Sequence, residues 1–177
     1  MQQDRKVGTI FCVCSEGLFM RLIRVSVVAF GLFPAAAFAA APLQPSTVRH
    51  DLKVKGAATT LAAIVKAGQW PQLLSHIEAG QSSWLHLVPT IRTATDPAQT
   101  QALDSAVSNA LTRNPTAVLR MADNGIDLEA ACFNKGLDGK PDLIKRFKSQ
   151  ARSALKRVRD VSLTQQRDRC VAQLKAR

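Results

Sequence analysis

Residues 95–121 read TDPAQTQALDSAVSNALTRNPTAVLRM. Two starts of the same kind stand in this stretch, Asp96-Pro97 and Asn114-Pro115. An Asp or Asn side chain accepts a bond from the free amides of a helix's first turn. Proline at the first helical position gives up only an amide that would be unpaired anyway. From 97 to 113, Leu103, Val107, Ala110 and Leu111 fall on one side at helical spacing. Val118, Leu119 and Met121 make a shorter face after the second start, and Asn124-Gly125 ends it. The stretch reads as two successive helices, and no segment alternates as a half-buried strand would.

The same spacing continues on both sides. Upstream, Leu61, Ile64 and Val65 give one face to a helix over 57–67, with Gly68 as its stop. Pro71, Leu73, Leu74 and Ile77 give a second that ends at Gly80. Ser82 or Ser83 caps a third that carries Trp84, Leu85, Leu87, Val88 and Ile91, kinked or cut short by Pro89. Residues 42–54 read as a loose entry. Downstream, Asp127 caps a turn holding Ala130, Ala131, Cys132 and Phe133, and residues 134–141 form a turn-rich loop. In the tail Leu143, Ile144, Phe147, Ala151, Leu155 and Val158 share one face, with Lys145, Lys148, Arg152, Lys156 and Arg159 around the other. Asp160 caps a last helix in which Leu163, Cys170, Val171 and Leu174 pack inward. The fold class is all-α. The architecture is an irregular helical bundle or a short stack of helical hairpins of the HEAT or tetratricopeptide sort, in one domain over 40–177.

The N-terminal region reads differently. MRLIRVSVVAFGLFPAAAFAA begins at Met20, with Arg21 and Arg24 ahead of an apolar run from Val25 to Phe33. Ala37-Phe38-Ala39 fits the small-residue pattern of a cleavage site, with the cut between Ala39 and Ala40. A membrane anchor would need about 20 consecutive apolar residues, and a core helix would need a polar face. Residues 20–39 therefore read as a signal peptide, Met20 as the translation start, and 1–19 as a mis-assigned extension. The expected location is periplasmic or secreted, in a bacterium, with membrane contact only during export. Cleavage removes Cys12 and Cys14 and leaves Cys132 and Cys170, an even count that reads as a disulfide in an oxidising compartment.

Charge is placed unevenly. The chain carries a formal +11. Between 40 and 139, eight basic residues balance eight acidic ones, whereas 140–177 holds twelve basic and three acidic residues. The whole excess lies in these last 38 residues, most of it on the C-terminal helices of 142–176. Such a face either stays solvated or contacts something anionic. The tail has no tryptophan or tyrosine for base stacking, and export argues against genomic DNA, so no nucleic-acid partner is expected.

Motifs for chemistry are lacking. His50, His76 and His86 have neither paired i,i+4 spacing nor an H-E-x-x-H frame. There is no G-x-S-x-G, P-loop or G-x-G-x-x-G, so no cofactor or metal is expected. Asp96, Asp127, Asp142 and Asp160 stand at helix starts, where capping accounts for them. Trp70 and Trp84 stand beside leucines at helical spacing. Core packing explains them more simply than an aromatic platform does.

Three segments carry a resemblance: WPQLLSHIEAGQSSWL, ALTRNPTAVL, and Cys132 followed by VRDVSLTQQRDRC. Over roughly 70–174 they look like a group of small exported helical proteins of proteobacteria with two cysteines. That resemblance implies export and the cysteine pair, and transfers no functional residue. In size, helical content and compartment the chain is also similar to periplasmic immunity proteins. The expected function is a non-enzymatic interaction or inhibitor/immunity-type module. Its contact face would be Lys145, Lys148, Arg152, Lys156 and Arg159, and its partner an envelope protein or an anionic envelope polymer. The alternative is an enzyme acting on the cell envelope with a scattered site.

Overall fold

Proline-headed turns and glycine stops divide the chain into short helices, and the computed structural model describes them over residues 42–122 and 124–176. In chain order these are α1 (Pro45–Val54), α2 (Ala57–Lys66), α3 (Trp70–Glu78), α4 (Ser82–Leu85), α5 (Val88–Arg92), α6 (Pro97–Arg113), α7 (Pro115–Ala122), α8 (Leu128–Cys132), α9 (Pro141–Leu155) and α10 (Thr164–Ala176). Single 3₁₀ turns at Lys135–Leu137 and Val161–Leu163 lead into α9 and α10. The described residues hold no strand, so the all-α expectation is met. The expected extension 1–19, the signal 20–39 and the Ala39–Ala40 cleavage point lie outside the described residues.

The longest helix, α6, organises the rest. Its start is a complete capping box: the Asp96 carboxylate accepts from the Gln99 amide at 2.7 Å, and the Gln99 side chain accepts from the Asp96 amide at 3.2 Å. Leu103, Ala106, Val107, Ala110 and Leu111 are all buried. The alanines among them let neighbouring backbones come close, and α3, α7, α8 and α9 all pack on α6. In a hairpin stack each unit meets only its neighbours. Here elements distant in the chain converge on one helix, which makes the architecture a bundle around α6.

Asn114 links two parts of it. Its Oδ1 accepts from the Ala117 amide at 3.2 Å and caps α7, as its place before Pro115 predicts. Its Nδ2 donates to the Gly80 carbonyl at 2.9 Å and to the Ser82 hydroxyl at 3.0 Å. Gly80 has φ +73°, and a Cβ there would stand 3.0 Å from the Asn114 Cβ and 3.2 Å from the Arg113 Cβ. Glycine is needed at this turn both for its backbone conformation and for the contact with α6.

Several local expectations are corrected. Residues 42–54 are not a loose entry: α1 starts with Pro45 at its first position and buries Val48 and Leu52, one turn apart. Val65 is 41% exposed rather than inward. The buried face of α2 is Thr60, Leu61 and Ile64, because the Thr60 hydroxyl is satisfied locally on the Gly56 carbonyl at 2.8 Å. Of the two outcomes expected at Pro89, the helix is cut short rather than kinked: it is two pieces, α4 and α5, with Pro89 in the first turn of the second. No side chain caps α4; Ser82 is its first helical residue and accepts from Asn114 instead. Leu143 is 43% exposed, since the inner face of α9 is Phe147, Ala151, Ala154 and Leu155.

Gly80 and Gly68 give a paired test. Both have positive φ, but a Cβ at Gly68 would meet nothing within 4 Å. Gly68→Ala should cost about 1–2 kcal/mol of backbone strain in urea unfolding. Gly80→Ala should cost more than Gly68→Ala, because the added carbon also presses on Arg113 and Asn114. Equal losses would contradict the close-contact reading.

Candidate anion-binding face

The cationic segment is placed by three ties, two from the interior of the bundle and one at its surface. A chain of amides runs from α3 through α6 to the loop ahead of α9. Asn109 Nδ2 donates to Glu78 Oε1 at 2.7 Å, Asn134 Nδ2 to Asn109 Oδ1 at 2.7 Å, and the Gly136 amide to Asn134 Oδ1 at 3.1 Å. Asn134 is buried, so an unmade bond there would be costly. Composition and spacing did not reveal this chain, because its members lie 25 and 31 residues apart.

The second tie is covalent. Cys132, at the end of α8, and Cys170, on α10, are bonded as a disulfide with Cα atoms 5.4 Å apart. Both are buried. The third tie is ionic: Arg120 of α7 holds the Asp160 carboxylate at 3.0 Å.

Helix α9 lies between these anchors. Asp142 sits in its first turn and Arg152 in its last, each where the helix dipole favours that charge. Lys145, Lys148 and Arg152 make a row on α9 beside its buried face. Lys148 and Arg152 are half-buried, their stems laid along the apolar surface. The Arg152 Nε donates back to the Lys148 carbonyl at 3.2 Å.

The helix stops at Leu155, so the five expected cations do not share one helix. Lys156 is the cap residue, with its amide on the Arg152 and Ala154 carbonyls, and it continues the row. The next turn buries Val158 and leaves Arg159 exposed beyond it. Arg167 of α10 fixes that turn by donating to the Val158 carbonyl at 3.4 Å. Arg146 and Arg157, which the sequence reading passed over, are also exposed on this segment.

Two of the three acids of this tail are already engaged, while Asp142 in the first turn of α9 makes no ion pair with another described residue. Asp160 is bound to Arg120, and Asp168 to Arg167 at 2.9 Å. Among the described residues none of Lys145, Lys148, Arg152, Lys156 and Arg159 has a carboxylate within 4.0 Å. Asp160 also accepts from the Ser162 hydroxyl at 2.7 Å and the Ser162 amide at 3.1 Å. The Ser162 hydroxyl, then Arg120 and the Ser162 amide, hold its carboxyl below the ordinary value of 3.8.

Other candidate chemistry resolves into packing. Trp84 is buried, with the His76 ring stacked on it at 5.0 Å between centroids, so the two tryptophans do not form an exposed platform. A groove of about 460 Å3 runs between the first half of α6 and the residues after α8. Several of its polar groups engage their neighbours: Asp104 pairs with Arg92, and the Ser105 hydroxyl donates to the Gln101 carbonyl at 2.9 Å. Among the described residues no three His, Cys, Asp or Glu side chains come together as a metal site would need. No protein-family model matches the chain, and neither a curated protein nor a solved structure matches it.

Two outcomes test this framework. The bond joins residues 38 apart, and the chain-entropy argument assigns it about 4 kcal/mol. The Cys132→Ser/Cys170→Ser variant should lose stability on that order in urea unfolding, with the largest loss of amide protection in α10. The second concerns acid. A carboxyl with a lowered pKa in the fold contributes stability above its unfolded pKa and loses it as pH falls through the folded one. Wild-type melting temperature should therefore fall more steeply below about pH 4 than that of Asp160→Asn. Parallel acid limbs would mean that the Asp160 contacts do not stabilise the ionised form.

Proposed function

We propose that this protein is an exported, non-enzymatic helical binding module that holds an acidic surface of an envelope protein on the row Lys145, Lys148, Arg152, Lys156 and Arg159. The observation that carries this reading is the charge arrangement: five cations without acid partners beside a tail whose Asp160 and Asp168 are already paired. Like charges left together destabilise the fold they sit on unless something anionic meets them. A bundle that fixes the row at both ends lowers the ordering cost of that meeting, which suits an inhibitor or immunity-type role.

Export rests on the sequence of 20–39 and is supported by the Cys132–Cys170 bond, which persists in an oxidising compartment. No helix among the described residues is long and apolar enough to cross a membrane.

The test uses Lys145→Glu/Lys148→Glu/Arg152→Glu, with circular dichroism melting to show that the bundle still folds. Wild-type protein should retain a stoichiometric acidic protein from periplasmic extract, with affinity falling as salt rises. The triple variant should bind it at least about tenfold more weakly. Retention of the same partner by the variant would remove the row from the interface. Capture of an anionic polymer in its place would refute the protein-partner form of the proposal.

A further inference from the structure

We infer that the cleft between α1 and the junction of α4 and α5 binds a phosphate-class anion that carries a small apolar group. The cleft is open to solvent and has a volume of about 390 Å3. From α1 come Arg49 and Lys53, one turn apart on the same face and separated by about 6 Å along the helix axis. From the other wall come His86, which closes α4, and Thr90 of α5. Leu52 and Leu87, both buried, form the floor.

Four polar side chains thus meet at one cavity, and none of them has a hydrogen bond or ion pair with another described residue. Some nearby groups are engaged elsewhere. Lys55 is held by Asp51 at 3.0 Å, Arg92 pairs with Asp104, and the Thr93 hydroxyl donates to the Thr90 carbonyl at 2.8 Å. No carboxylate lines the cleft. Two cations one turn apart repel each other, and an anion between them removes that repulsion.

The donor set narrows the ligand. Arginine, lysine, an imidazole N–H and a hydroxyl together offer more donors than the two oxygens of a carboxylate can use, and suit the three terminal oxygens of a phosphate ester. The leucine floor and the cleft volume leave room for an apolar group beyond the phosphate. This site is separate in the chain from the α9 row, and neither proposal depends on the other.

Hexyl phosphate and inorganic phosphate, titrated into the oxidised protein under calorimetry and amide-resolved NMR, test it. Hexyl phosphate should saturate, shift α1 and residues 86–90, and bind roughly tenfold more tightly than inorganic phosphate. Arg49→Gln/Lys53→Gln should weaken it tenfold or more while the melting curve stays in place, since both residues are exposed. The α9 triple reversal should leave it unchanged. Equal binding by the Arg49/Lys53 variant, shifts confined to α9, or heptanoate binding as tightly as hexyl phosphate would each overturn the assignment. Phosphatidylcholine vesicles with and without phosphatidic acid separate the sources. Arg49- and Lys53-dependent binding to the acidic vesicles identifies a lipid headgroup. Hexyl phosphate binding without vesicle binding identifies a soluble phosphate ester.

Discussion

Burial of α6 on several sides is the constraint from which the rest follows. Such a helix must be apolar around much of its circumference and thin enough for neighbouring backbones to approach. Leu103, Val107 and Leu111 supply the apolar volume, and Ala106 and Ala110 keep the surface low. Two of its polar side chains bond to neighbouring elements. The Ser108 hydroxyl lies 2.9 Å from the Ala130 carbonyl, and Asn109 passes a hydrogen bond from α3 to Asn134. α3 and α8 are therefore held by shape and by a directional contact, whereas α9 is held on α6 by packing. A chain of short helices gains one arrangement in this way.

The legible part of the fold was its punctuation. Asp96, Asn114 and Asp127 cap the helices that their positions predict, because a side-chain cap is a contact between residues two or three apart. Gly68, Gly80 and Gly125 end helices at positive φ for the same local reason. Orientation was less legible. Val65 and Leu143 continue apolar faces yet are partly exposed; in the short α2 the locally satisfied Thr60 hydroxyl takes the inner place, and in α9 Leu143 lies in the first turn, ahead of the buried Phe147. For α1 the signal was present in Val48 and Leu52, but prolines and mixed polarity concealed a face only two residues long.

The cationic row was legible as composition and not as geometry. Residue spacing places Lys145, Lys148, Arg152 and Lys156 along one line, and the structure keeps that order. It could not show that α9 ends at Leu155, nor that Arg120, a distant residue, would hold Asp160 and leave Arg159 without an acid. The α1 cleft was not legible at all. Arg49 and Lys53 look like ordinary surface charges until α1 is known to be a helix facing His86.

The bond between Cys132 and Cys170 has one more consequence, which is topological. The segment it closes contains the whole of α9, the turn that follows it and the start of α10. A protease that cut the exposed turn after Leu155 would therefore release nothing. Both cut ends would stay joined through sulfur, and the nicked chain would travel as one molecule until a reductant reached it. The cations sit inside a covalent ring, so backbone cleavage alone does not detach them from the bundle.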